Sequence, residues 1–232
     1  MNVVVTGAST GIGYEIVKEL VRSKVDTIYI ISRNRNKLDT LKEECKVIGK
    51  TEVVVLPLDL CEINTMDLNS IIANETIDVI INNAGQLVNK PFESISLLQL
   101  EQVYQTNVFG PFLLLQQLLP NLRKSKIAHV VNIGSMGGVQ GASKFSGLTA
   151  YSSSKAALAS LTECLAEELK KDNIKVNCLA LGAVNTEMLS AAFPGYVAEM
   201  QPKDMAKYIV HFALVDHQFI NGKIIPLSFS TP

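Results

Sequence analysis

The chain has 232 residues, 47% of them hydrophobic, and its 21 Lys+Arg against 22 Asp+Glu leave a net charge of −1. That length suits one large α/β domain with a substantial core better than two small ones. The balanced charge offers no basic surface to nucleic acid or to an anionic membrane, and no apolar run approaches the length of a membrane span.

Short β-branched runs alternate with amphipathic segments from end to end. Asn2–Thr6 reads as a buried strand, so we expect no signal peptide and a cytoplasmic protein. Gly11–Ser23 reads as a helix with Ile12, Ile16, Val17 and Leu20 on one face. Thr27–Ile31 is a strand, Lys37–Val47 a helix, Val53–Leu56 a strand, Ile63–Ala73 a helix and Ile77–Ile81 a strand. A long helix spans Leu97–Leu122, with a break expected near Gly110 and Pro111. Ile127–Ile133 is a strand, followed by a loop rich in Gly and Ser over Gly134–Gly147. Thr149–Lys170 is a strong helix and Lys175–Leu181 a strand.

Residues 183–201 look irregular or short-helical. Their Met188, Leu189, Phe193, Tyr196 and Met200 suit either a short apolar lid or packing on the sheet. Pro202–Leu214 is a helix with its Pro in the first turn, and Lys223–Leu227 is the last strand. Near-continuous apolar strands alternating with helices predict a mostly parallel sheet of about seven strands, covered on both faces. No linker or repeat divides the chain, so residues 1–232 form one doubly wound domain.

Cys45, Cys61, Cys164 and Cys178 make no C-x-x-C pair, and no His stands at zinc-finger spacing from them. Free thiols in a reducing compartment, and no metal site, follow.

Thr6-Gly7-Ala8-Ser9-Thr10-Gly11-Ile12-Gly13 lies after the first strand and opens the first helix, where the Rossmann fingerprint belongs. Gly7 makes the tight turn, Gly11 and Gly13 let phosphate approach the backbone, and the helix N-terminus favours negative charge. Glycines also serve ordinary turns; the position favours a dinucleotide. The second strand runs into Ser32 and Arg33 with no carboxylate. An acid there would bond a ribose 2′-hydroxyl, whereas Arg33 accepts a 2′-phosphate, with Ser32 and Thr10 as added hydroxyl donors. NADP(H) is therefore expected over NAD(H).

Asn82-Asn83-Ala84-Gly85 follows the fourth strand, where open sheets bind ligands, although Asn and Gly also make plain turns. Ser135 follows the fifth strand, with Ser143 and Ser146 as competitors. No His is placed for a Ser-His-Asp hydrolase. Tyr151 and Lys155 stand four apart on one helical face, so the ammonium should lower the phenol from its ordinary value of about 10. Such a phenol moves protons near neutrality.

Taken in order, Thr6-Gly7-x3-Gly11-x-Gly13, Asp59, Asn82-Asn83-Ala84-Gly85, Asn107, Ser135, Tyr151-x3-Lys155 and Gly182-x-Val184-x-Thr186 resemble the compact branch of the short-chain dehydrogenase/reductase family over essentially the whole chain. The resemblance implies that Tyr151 is the acid/base, that Lys155 tunes it and bonds the nicotinamide ribose, and that Ser135 polarises the carbonyl. It implies that Asn107 holds a relay water, that Asp59 and Leu60 touch adenine, and that Gly182, Val184 and Thr186 edge the nicotinamide.

Three features differ from the family. Leu181 stands where Pro is usual, Ser135 and Tyr151 are an unusually long 16 positions apart (151 − 135 = 16), and the ending Pro226–Pro232 lacks the common acidic-glycine pattern. All three fall where substrate or subunit contacts are expected. The expected activity is NADP(H)-dependent reduction of a ketone or aldehyde, or its reverse, on a small apolar substrate. An NAD-dependent alcohol dehydrogenase and a non-catalytic nucleotide-binding regulator are the alternatives. The apolar row Phe112, Leu113, Leu114, Leu115, Leu118 and Leu119, on a helix that relatives pair between subunits, implies a homodimer or homotetramer.

Overall fold

Val3, Val4 and Val5 run without a polar break, a pattern stable in a strand only when both of its faces are covered. In the computed structural model, which describes residues 1–65, 67–68, 72 and 75–228, each of these valines is completely buried. They belong to β1 (Asn2–Thr6), which is followed by α1 (Gly11–Arg22), β2 (Thr27–Ile31), α2 (Arg35–Ile48) and β3 (Glu52–Leu56). A 3-10 turn occupies Leu60–Thr65 where an α-helix was expected from Ile63; most of that expected helix lies outside the described residues. Then come β4 (Val79–Asn82), α3 (Leu97–Tyr104), α4 (Gly110–Leu122), β5 (His129–Ser135), α5 (Thr149–Glu168), β6 (Lys175–Leu181), α6 (Glu187–Ala192), α7 (Pro202–Val215) and β7 (Ile224–Leu227).

The strands form one parallel sheet in the order β3-β2-β1-β4-β5-β6-β7. Alternate side chains feed two cores. Val3, Val5, Ile28 and Ile30 meet α1, α2 and α7 through Ile16, Leu20, Leu38, Leu41, Ile209 and Phe212. Val4, Tyr29 and Ile31 share the other core with Leu114, Leu118 and Leu122 of α4 and Ala166 of α5. The strand order reverses between β1 and β4, which opens a crevice beyond their carboxyl ends.

The expected break in the long helix lies just ahead of Gly110, as a π-helical turn over Gln105–Phe109. Pro111 has no amide to continue the ladder to Asn107, and a long-range bond pair holds the turn. The Asn107 side chain accepts from the Gln86 amide at 2.7 Å and donates to the Gln86 carbonyl at 3.0 Å. A π-turn widens the helix and aims Asn107 inward, where it is wholly buried.

Polar groups also cross the core. Asn82 Nδ2 donates to Asn132 Oδ1 at 2.8 Å, Asn132 Nδ2 to Thr162 Oγ1 at 2.9 Å, and Thr162 Oγ1 to the Leu158 carbonyl at 2.8 Å. This chain ties β4 and β5 to α5. At the start of β5, buried His129 pairs Nδ1 with the Ala213 carbonyl at 2.9 Å and Nε2 with Asn177 Nδ2 at 3.0 Å. Both nitrogens are satisfied in the neutral ring, with Nδ1–H donating and Nε2 accepting. A second proton would face the Asn177 donor. Burial, with His217 as a neighbour, pushes the His129 pKa down to about 4.

A depressed His pKa means that the unfolded chain takes up the proton first. Stability is therefore full above the unfolded value near 6.5 and falls as pH drops toward 4. His129 alone should account for roughly 2–3 kcal/mol of loss between about pH 7.5 and 4.5. Urea unfolding of wild type and His129→Gln at the two pH values checks this. The variant should lose clearly less; equal losses would remove His129 as the acid-sensitive group.

Candidate active site

The crevice is a cleft of about 690 Å³. Its floor is the turn between β1 and α1. Gly7 takes φ +68°, a left-handed conformation, and its amide donates to the Ile31 carbonyl at 2.8 Å. The turn after β4 is fastened to it. Asn83 Nδ2 donates to the carbonyls of Thr6 and Gly7 at 3.1 and 3.2 Å, and the Ala84 amide donates to Thr6 Oγ1 at 3.0 Å. A Cβ on Gly7 would press on the Ala84 backbone, so the close approach of the two turns needs glycine.

Gly7, Ser9, Thr10, Gly11 and Ile12 line the floor; Ser32, Arg33, Asp59 and Leu60 line one end; Asn83, Ala84 and Gly85 line the middle. Ser32 Oγ donates to Ser9 Oγ at 2.9 Å. Arg33 is 74% exposed, with Nη1 4.0 Å from Asp59 Oδ2. This donor set fits a dinucleotide phosphate group. The first turn of α1 has no capping side chain and no acid, so its free amides face the cleft floor. Gly13 does not line the cleft; a Cβ there would overlap the Gly7 carbonyl and Asn83 Nδ2, so the packing of the two turns needs glycine here as well.

Ser135, Tyr151, Lys155, Gly182, Val184 and Thr186 line the other end. Ser135 ends β5 and Tyr151 lies in the first turn of α5, so the strand end and the helix start meet there. The Ser135 hydroxyl lies close enough to the Tyr151 phenol to lower its pKa. Lys155, only 4% exposed, donates Nζ to the Ile133 carbonyl at 2.8 Å, and its nitrogen lies 5.8 Å from the Tyr151 ring centre. Asn107 is behind the lining, where its Nδ2 also donates to Ser154 Oγ at 2.9 Å. A Cβ on Gly85 would lie 3.6 Å from both Asn107 Oδ1 and Lys155 Nζ, so these two polar atoms flank the same glycine.

The electrostatics differ from expectation. Spacing alone predicts a lowered Tyr151 pKa; here burial raises it, opposed by the nearby Ser135 hydroxyl. The Lys155 ammonium is turned to a backbone carbonyl instead of the phenol. Its own pKa is pushed down to about 8 by burial. Tyr151 is thus held in its protonated, donor form.

Apolar side chains wall the space beyond Tyr151. Met188, Leu189, Phe193 and Tyr196 come from the expected lid, whereas Met200 packs on the core below α7. Thr186 caps α6 by accepting from the Leu189 amide at 3.2 Å, and its methyl lies 3.4 Å from where a Gly11 Cβ would be. Sequence reasoning missed Gln86, Leu87, Met136, Gly137, Phe145, Leu148 and Ser228, all at the cleft. Phe145 lies in the loop rich in Gly and Ser and Leu148 directly follows it, with no periodicity there to mark either. Ser143 and Ser146 do not line the cleft, and no His does among the described residues.

A doubly wound parallel sheet with a glycine turn at its switch point, opening on a Ser, Tyr and Lys cluster, defines the class of dinucleotide-dependent oxidoreductases. The chain belongs to the short-chain dehydrogenase/reductase family: the family model for short chain dehydrogenases matches residues 1–196. It is 32% identical over 213 residues to a fatty acyl-CoA reductase of Acinetobacter baylyi, covering 89% of this chain and 70% of that protein. The L-sorbose reductase of Gluconobacter frateurii, in complex with NADPH and L-sorbose, superimposes with a TM-score of 0.88 at 20% identity, covering 99% and 95% of the two chains. A 3-ketoacyl-(acyl-carrier-protein) reductase of Brucella melitensis, complexed with NADH, gives 0.85 at 20% identity, covering 97% and 96%. Both of these structures share the fold, and they hold different nicotinamide dinucleotides. No helix among the described residues is long and apolar enough to cross a membrane.

Proposed function

We propose that this oxidoreductase reduces apolar ketones or aldehydes with NADPH, with Tyr151 as the proton donor. The observation that carries the reading is the placement of Ser135, Tyr151 and Lys155 together on the cleft wall, where its glycine-turn arm meets an apolar chamber. The dinucleotide supplies the hydride. Reduction leaves the former carbonyl oxygen as an alkoxide, and Tyr151 gives it the phenolic proton while Ser135 holds it. The raised Tyr151 pKa keeps the phenol protonated, the form that donates in the reductive direction. Lys155 binds the nicotinamide ribose, and Asn107 connects it to solvent for reprotonation of the phenolate.

Gly7, Ser9, Thr10, Gly11, Ile12, Asn83, Ala84 and Gly85 hold the dinucleotide backbone, and Gly182, Val184 and Thr186 edge its nicotinamide. The relative's name, fatty acyl-CoA reductase, fits a chamber walled by Met136, Phe145, Leu148, Met188, Leu189 and Phe193. The four free cysteines suit the reducing cytoplasm.

Tyr151→Phe should reduce turnover at least roughly 100-fold while leaving NADPH affinity nearly unchanged. Lys155→Met should damage both. Initial rates on a carbonyl panel and fluorescence titration of NADPH check this; near-wild-type turnover by Tyr151→Phe would remove the mechanism.

Arg33 sets the cofactor choice. Asp59 lies within 4.0 Å of it and competes for the guanidinium, yet no carboxylate ends β2 to bond a 2′-hydroxyl. One charge-assisted contact to a 2′-phosphate contributes about 1.5–3 kcal/mol, or roughly tenfold to a hundredfold in affinity. NADPH should therefore surpass NADH in kcat/KM, and Arg33→Ala should lose most of that ratio. Equal ratios in the two proteins would refute the assignment.

Leu97, Leu98, Phe109 and Phe112 of α3, the π-turn and α4 are 70%, 63%, 49% and 40% exposed. Of the expected apolar row, Leu114, Leu115 and Leu118 are buried in the core, so Phe112 and these exposed neighbours are what would pair with a second copy. Sedimentation should find a dimer or tetramer at micromolar concentration; a monomer would remove this proposal.

A further inference from the structure

Asn89 takes no part in the chemistry above. It is exposed, in the segment that leads away from the Asn83–Gly85 turn. Its Nδ2 donates to the Ala192 carbonyl at 2.7 Å, joining that segment to the C-terminal end of α6, 103 positions later. The same side chain lies against Gly147, where a Cβ would overlap Asn89 Oδ1. Gly147 also takes φ +84°, a conformation that disfavours any side chain. The neighbouring Lys90 amide donates to the Gly147 carbonyl at 3.0 Å.

Three segments therefore meet at one amide group. Each of them supplies a wall of the apolar chamber: Leu87 from the first, Phe145 and Leu148 from the second, Met188, Leu189 and Phe193 from the third. The second segment is the loop whose length between Ser135 and Tyr151 departs from the family. The other end of α6 is already fixed over Gly11 by Thr186. The Asn89 bond fixes the free end, so the lid is held at both ends across the chamber.

We propose that Asn89, seated on Gly147, is the latch that closes α6 over the substrate chamber, and that it is a specificity-determining residue for bulky apolar carbonyls. The latch rests on geometry alone; its effect on selectivity rests on the function proposed above. A closed lid excludes water from an apolar ligand and is rewarded only by a ligand large enough to touch it.

Hydrogen–deuterium exchange on the full-length protein tests the latch without any substrate. Asn89→Asp keeps the shape and the Oδ atoms but removes the donor to Ala192. Asn89→Ala removes the whole contact, and Gly147→Ala displaces Asn89 from the other side. Peptides covering 187–193 should exchange about threefold to tenfold faster in the Asn89 variants, the scale of losing one exposed hydrogen bond, with β5 and β6 peptides unchanged. Wild-type exchange of these peptides in both Asn89 variants would overturn the latch.

For selectivity, KM for the bulkiest apolar carbonyl turned over should rise severalfold in Asn89→Asp, with kcat kept or raised and small polar ketones little affected. A purely structural role would lower the melting temperature and leave that KM ratio alone. Faster lid exchange with an unchanged ratio would overturn the specificity claim. If wild type turns over no carbonyl, the proposed function fails, while the exchange result still decides the latch.

Discussion

The site depends on one buried cation. Lys155 is almost wholly removed from water, and its ammonium is satisfied by the Ile133 carbonyl at 2.8 Å. A buried charge without such a partner is costly, so the bond fixes where α5 can sit on β5. Gly138 allows the fit: a Cβ there would lie 2.7 Å from the Lys155 carbonyl carbon and from the Ala156 amide. Once α5 is seated, Tyr151 stands one turn earlier on the same face and reaches Ser135 at the end of the strand.

Further along the helix, polar contacts hold the same seating. Ser154 takes a hydrogen bond from Asn107, and Thr162 closes the chain that starts at Asn82. Cys178 lies beneath them, near Gly134, with its thiol pushed up to about 11 by burial; it remains a neutral packing group. Such buried polar chains set register more than they add stability, because each member must find its partner. The helix carrying the reactive phenol therefore has little freedom to slide or turn. This rigidity contrasts with the lid, whose two ends rest on a cap and a single exposed side chain.

Much of this was legible in the sequence. The strands announced themselves through β-branched runs, and Lys175–Leu181 has the expected bounds. The glycine turn, the Asn82–Gly85 turn and Ser135 are legible because each sits at a strand end, where the sheet's geometry assigns the ligand side, and Tyr151 and Lys155 because they share one face of the next helix. What was not legible depends on distant partners. Pro111 marks the break, but the inward aim of Asn107 depends on its bonds to Gln86, which nothing local in Gln105–Phe109 reports. The phenol's raised pKa follows from burial, with Lys155 Nζ turned to the Ile133 carbonyl, and the i, i+4 spacing reports neither. The packing of Gly13 against the Asn83 side chain is not legible locally either. Phe145 and Leu148 sit in a loop with no periodicity to give away the chamber.

The central claim is that one preformed cleft brings a nicotinamide dinucleotide and a carbonyl together under Tyr151. Isotope transfer tests it most directly. NADPH deuterated at both C4 positions of the nicotinamide should pass one deuterium to the carbinol carbon of an apolar ketone or aldehyde. A carbinol carbon without deuterium, or no cofactor oxidation with any carbonyl, would contradict the account.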